Sequence, residues 1–183
     1  MDASQDYTTH SSLVGEKSIG PMLTFHPGLG FVFENTEGHI VGYIFSAPCY
    51  KTYQEQVGQA WLPRLREKYP VVEQGEGELL TPCDLAINTL HRDPELLVID
   101  EPESYGVCKL AMLSNPPDAS LARRATTLLL ACLRTSGILK VVTEVPKKER
   151  YLTDLYTKLG FSQVPAAGEA EGEGGSQLLF RRY

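Results

Sequence analysis

Two periods of apolar residues divide this chain into elements. Residues 31–34 (FVFE) and 39–45 (HIVGYIF) are β-rich, with the turn residues Asn35, Thr36, Glu37 and Gly38 between them. That pattern predicts two antiparallel strands joined as a hairpin. From Tyr50 to Tyr69 the period lengthens, and Trp61, Leu62, Leu65 and Tyr69 fall at the spacing of one helical face. Pro63 puts the start of a second helix near Trp61, because proline suits a first helical turn and disrupts an interior. An aromatic pair at this spacing reads as core, so Trp61 and Tyr69 are expected to pack inward.

Residues 70–82 are rich in Glu and Gly and predict an exposed loop, acidic over 71–81. A short helix is expected over 82–90. Pro94 and Pro102 bracket an edge strand or extended connection over 95–100. The apolar run 107–113 reads as a strand ended by Asn115-Pro116-Pro117, and Asp118 or Ser120 caps a helix that runs to about Thr135 and stops at Gly137. Residues 138–145 fit a central strand ended by Pro146, and 148–159 form an amphipathic helix closed by Gly160. Residues 161–164 and 177–180 form a last hairpin across the low-complexity acidic loop 165–176 (PAAGEAEGEGGS). This β-α-β-α order predicts an α/β domain with parallel pairing and helices on both faces. Residues 1–12 read as a flexible polar arm, and 13–183 as one domain without internal repeats.

Composition narrows the function classes. With 183 residues, 42% apolar and 22% charged, the chain can bury a core without staples. A net charge of -6 argues against nucleic acid as a partner, since Arg123-Arg124, Lys147-Lys148 and Arg181-Arg182 are only pairs of cations. No apolar run approaches a membrane span, and the first dozen residues lack the pattern of a signal peptide. Cys49, Cys83, Cys108 and Cys132 form no C-x-x-C pair and read as reduced thiols of an intracellular protein, cytoplasmic or nuclear. His10, His26, His39 and His91 have no mutual spacing or cysteine neighbours that build a metal site.

The strings GHIVGYI at 38–44, the strand–loop–helix of 107–135 and LYTKLGF at 155–161 occur in the order of the GCN5-related N-acetyltransferase superfamily, which the chain resembles. More specifically, LVGEKSIGPMLTF at 13–25, AWLPRLREKYP at 60–70 and DASLARRATTLLLACLRTSG at 118–137 resemble the C-terminal acetyltransferase-like domain of the O-GlcNAcase family. The resemblance implies a central mixed sheet splayed between strands 107–113 and 138–145, with helices on both faces. It implies a piece of a larger enzyme whose hydrolase domain, with its paired carboxylates, lies elsewhere, so that this chain alone hydrolyses no glycoside.

An active member of the superfamily carries Gln/Arg-x-x-Gly-x-Gly/Ala before its central helix, where backbone N–H groups cradle the pyrophosphate of acetyl-coenzyme A. Aligned on the leucines that follow, the positions here are Ser120, Leu121, Ala122, Arg123, Arg124 and Ala125, and only Ala125 fits. Arg123 stands where the first glycine belongs, which predicts no bound cofactor. The alternative makes both arginines phosphate ligands and keeps acetyl-coenzyme A. Tyr156 matches the superfamily's general acid, or else packs with Leu152, Leu155 and Leu159. Glu144 is the best base candidate, with Glu101, Glu103 and Asp118 as outside options, or else it serves structure. The reading that follows is a non-catalytic domain that accepts a protein or peptide by strand addition in the sheet groove. Its rival is an active protein N-acetyltransferase; a third reading is a domain that only stabilises or dimerises its parent.

Overall fold

The computed structural model describes residues 10–75, 79–92, 104–113, 118–163 and 176–183. The extended segment expected over 95–100, the strand end at 115–117, Glu101, Glu103, the centre of the 71–81 loop, nearly all of loop 165–176 and most of the arm 1–12 lie outside them.

Two short helices, α1 (Leu13–Ser18) and α2 (Gly20–Phe25), precede the hairpin of β1 (Gly30–Glu34) and β2 (Ile40–Ala47). Asn35 builds the turn, its Oδ1 accepting from the N–H groups of Glu37 and His39, while Gly38 takes a φ of 80° that a side chain would resist. Helix α3 (Tyr50–Gln56) passes through one π turn, Val57–Trp61, into α4 (Leu62–Lys68). Pro63 in the first turn of α4 has no N–H and its ring crowds the preceding turn, so the helix widens there and Leu62 donates to the Val57 carbonyl. Helix α5 (Pro82–Leu90) opens with a reciprocal cap between Thr81 and Asp84. Then follow β3 (Gly106–Met112), α6 (Ala119–Thr135), β4 (Lys140–Pro146), α7 (Arg150–Lys158), β5 (Ser162–Gln163) and β6 (Ser176–Arg182).

The strands form one mixed, mostly antiparallel sheet in the order β1-β2-β3-β4-β6-β5. Helices cover both faces. On one, α6 buries Ala122, Ala125, Leu129, Leu130 and Leu133 at helical spacing, and with Leu155 and Tyr156 of α7 they meet Ile44, Cys108, Leu110, Val141 and Val145. On the other, Met22 of α2 and Tyr50 and Tyr53 of α3 cover Phe45, Ala47, Val107, Val142 and Phe180. A third cluster joins Leu13, Leu65, Tyr69, Cys83, Ile87 and Leu90 away from the sheet. Tyr69 is core there, whereas Trp61 is half-buried at the edge, its indole N–H donating to the Glu16 carbonyl at 2.9 Å.

Candidate functional site

Side chains alternate across a strand, so the parallel pair β3–β4 can be read rung by rung. These two strands pair only at Gly106 with Val141 and Val107 with Val142. Past that point each stays fully paired to its outer neighbour, β3 to β2 and β4 to β6. Among the described residues no backbone hydrogen bond joins the strands beyond these rungs, so the sheet opens into a fork at its centre. The inner edges of β3 and β4 there carry donors and acceptors that a strand or an extended ligand can meet.

Continuing the register places Cys108 opposite Thr143 at the crotch of the fork, on the α6–α7 face. Both are buried, at 0% and 1% exposure. Tyr156 of α7 sits over this rung at 1% exposure, its buried hydroxyl beside Cys108 and Thr143 but in full hydrogen-bond geometry with no group among the described residues. Burial pushes the Cys108 thiol up to about 12. Burial first, and then the neighbouring Cys108, hold the Tyr156 phenol well above its ordinary value. The expected packing of Tyr156 with Leu155 is present, and its ring meets Phe161 edge-on at 4.9 Å.

The next rung carries Lys109 opposite Glu144 on the other face, above α3. Glu144 is exposed and Lys109 half-buried. Burial raises Tyr50 to about 12, and Glu144 adds to the rise; Tyr53 is raised further by the same two causes in the same order. Glu144 therefore faces the tyrosines of α3, and the two proposed catalytic groups, Tyr156 and Glu144, lie on opposite faces with the fork between them.

The aligned pyrophosphate residues Ser120, Leu121, Ala122, Arg123, Arg124 and Ala125 all lie inside α6 rather than in a loop before it. The reason is the cap. Asp118, not Ser120, holds the N-cap, its Oδ1 accepting from the Leu121 N–H at 2.9 Å while its carbonyl accepts from Ala122 at 3.0 Å. The backbone N–H groups of Arg123 and Arg124 are then internal to the helix and unavailable to an anion, and both side chains are exposed. Ala122 and Ala125 are core. Asp118 also faces Tyr151 of α7, whose buried hydroxyl has no hydrogen-bond partner among the described residues and whose pKa rises through burial and then that carboxylate.

Among the described residues no cluster of His, Cys, Asp or Glu has the makings of a metal site, and no helix is long and apolar enough to cross a membrane. None of the four cysteines takes part in a disulfide. Sequence reasoning passed over Cys108, Lys109, Thr143, Tyr50 and Tyr53 as site residues. The one visible signal was Lys109, a lone charge inside the apolar run VCKLAM.

Comparison with known proteins agrees with this architecture. No protein-family model matches the chain. It is 24% identical over 163 residues to Protein O-GlcNAcase of Rattus norvegicus and of Mus musculus, covering 86% of this chain. The match spans only 17% of the length of those relatives. Among solved structures it superposes on SsHAT with a TM-score of 0.74 at 19% identity, over 98% of this chain and 88% of that one. A GCN5-related N-acetyltransferase from Kribbella flavida gives 0.53 at 11% identity, over 92% and 76% of the two chains. PH1933 from Pyrococcus horikoshii gives 0.55 at 13%, over 98% and 80%. The chain carries a GCN5-related N-acetyltransferase fold and is similar to the acetyltransferase-like region of O-GlcNAcase.

Proposed function

We propose that this chain is a non-catalytic acetyltransferase-like domain of an intracellular O-GlcNAcase, and that it recruits a protein partner by seating an extended peptide in the fork between β3 and β4. The observation that carries the loss of catalysis is the Asp118 cap. A pyrophosphate at a helix N-terminus needs free N–H groups and an unopposed positive dipole end. Here a resident carboxylate takes the Leu121 N–H and supplies negative charge where the phosphates would lie. Helix formation from Ala119 removes the backbone of Arg123 and Arg124 from use. The fork remains, and unpaired inner strand edges suit strand addition by a peptide.

One feature favours the rival reading, an acetyl-coenzyme A-dependent protein N-acetyltransferase. The Tyr156 hydroxyl is buried at the crotch beside Cys108 and Thr143, with no hydrogen bond of good geometry to them or to any other described residue, which leaves it able to donate to a ligand atom. In that reading Tyr156 protonates the departing thiolate, Glu144 relieves the acceptor amine of its proton, and residues 120–125 hold the pyrophosphate.

Cofactor binding separates the two. A ligand present at ~100 times its dissociation constant adds about 2.7 kcal/mol, which raises the unfolding midpoint of a domain this size by roughly 5–10 °C. Thermal unfolding with and without millimolar acetyl-coenzyme A is expected to show no shift, and titration calorimetry no heat. A shift in that range overturns the loss of cofactor binding and makes acetyl transfer to a protein acceptor the next assay.

A further inference from the structure

Away from the sheet, α1 and α4 border a cavity of about 150 Å³ lined by Glu16, Trp61, Arg64, Leu65 and Lys68. Trp61, Arg64, Leu65 and Lys68 follow the spacing of one helical face. The indole is held at three points. Its N–H donates to the Glu16 carbonyl at 2.9 Å, and Phe25 meets it edge-on at 6.2 Å. Gly20 packs so closely that a Cβ there would stand 2.4 Å from Cζ2 of the ring. A wall fixed in this way keeps its shape without a ligand, which spares the cost of ordering it on binding.

The charged groups of the lining divide into a closed pair and one cation. Glu16 accepts from Lys68 at 2.6 Å and from the Tyr69 hydroxyl at 2.9 Å, and the bond from Lys68 holds its carboxyl below the ordinary range. Arg64 is exposed at the rim, its guanidinium 5.7 Å from the centre of the indole and in no ion pair among the described residues.

The cavity therefore offers an apolar wall of Trp61 and Leu65 beside one uncommitted cation, in a volume like that of cavities that take up a benzene ring. A simple anion would use Arg64 and leave the apolar wall wet, a neutral ring would fill the wall and ignore the charge, and an amine would be opposed by the guanidinium. A ring with a carboxylate one carbon away uses both features. We propose that this cavity binds a small aryl carboxylate, its ring against Trp61 and Leu65 and its carboxylate on Arg64. The site shares no residue with the fork and stands independently of the peptide-binding reading.

Trp61 is the only tryptophan of the chain, so its emission reports on the cavity directly. Phenylacetate, phenylacetamide, phenethylamine and acetate are titrated against the whole chain at pH 7 and low ionic strength, with excitation where tyrosine and the probes do not absorb. Phenylacetate is expected to change the emission saturably in the millimolar range. It should bind about fivefold more tightly than the amide, the upper worth of an ion pair at an exposed rim, with the amine and acetate weaker still. R64Q should lower phenylacetate to the level of the amide, and R64E should make the amine the tightest of the three aryl probes. The inference is overturned by no saturable change with any probe, by acetate binding as tightly as phenylacetate, by equal affinities for acid, amide and amine, or by an acid preference that survives R64Q. Far-UV circular dichroism checks that each variant folds, and R64Q alone decides if R64E does not.

Discussion

Replacing Tyr156 with Phe removes a single oxygen from a position that is 1% exposed, where Cys108 and Thr143 lie beside the hydroxyl but no group among the described residues completes a hydrogen bond of good geometry with it. A buried polar group left unsatisfied costs about 1–3 kcal/mol relative to one in water. The ring itself is well placed: it lies 4.9 Å from the Phe161 ring and packs in the main core with Leu155 and Leu179. Tyr156→Phe keeps those contacts and is expected to stabilise the domain by about 1 kcal/mol, raising the midpoint by roughly 2–4 °C. Tyr156→Ala deletes the ring as well and should cost about 3–5 kcal/mol. Urea unfolding at pH 7, followed by far-UV circular dichroism and Trp61 fluorescence, measures both. A Tyr156→Phe chain that is less stable than wild type by 1 kcal/mol or more would refute the reasoning, since the hydroxyl must then be making a bond that holds the fold.

Other perturbations probe the cap, the close packing and the buried thiol. Asp118→Ala leaves the Leu121 N–H without its cap and should cost about 1 kcal/mol in urea unfolding. At Gly42 an added Cβ would stand 2.8 Å from the Ala111 carbonyl oxygen and 2.9 Å from Phe33 and the Met112 sulfur, so Gly42→Ala should lose about 1–3 kcal/mol. Cys108 ionises near 9.0 in its ordinary state and at about 12 when folded, so the folded chain keeps a proton that the unfolded chain releases. Its contribution is therefore full below pH 9 and is lost as pH rises toward 12, about 1 kcal/mol of it by pH 10. The loss between pH 7 and pH 10 should be smaller by that amount in Cys108→Ala, and equal losses in the two chains would exclude Cys108 as the source.

Local chemistry made much of the fold legible. The hairpin follows from alternation plus an Asn-Thr-Glu-Gly turn, and the break before Leu62 follows from Pro63 alone. The stops at Gly137 and Gly160 are positive-φ positions, at 82° and 83°. Residues 13–25 were different. Their two helices of six residues are too short to hold themselves in water, and they exist because Leu13 and Met22, each at 0% exposure, are claimed by two separate clusters. No periodicity can announce an element whose stability is entirely tertiary.

The site divides in the same way. Motif alignment singled out residues 120–125, and the arginine at 123 in place of glycine was the reason to expect no bound cofactor. In the structure the feature that bears on this expectation lies five residues upstream, where Asp118 caps α6 and draws residues 120–125 into the helix whatever residue 123 is. Glu144 and Tyr156 were visible as candidate residues, but their separation onto opposite faces depends on which of Val141 and Val142 turns toward α6, a choice fixed by packing. Lys109 shows why the partner of a charge is the hardest feature to read. Lys109 and Glu144 are 35 positions apart and belong to strands joined through α6, so only the parallel register of Val107 with Val142 makes them neighbours across the fork. That register arises because the faces bearing Val107 and Val142 on one side and Cys108 and Val141 on the other are both buried. A slip of one residue would bury Glu144 beneath α7, at the cost of an unpaired charge in the core. The apolar pattern that folds the sheet thus also fixes which cation confronts which anion at the mouth of the fork.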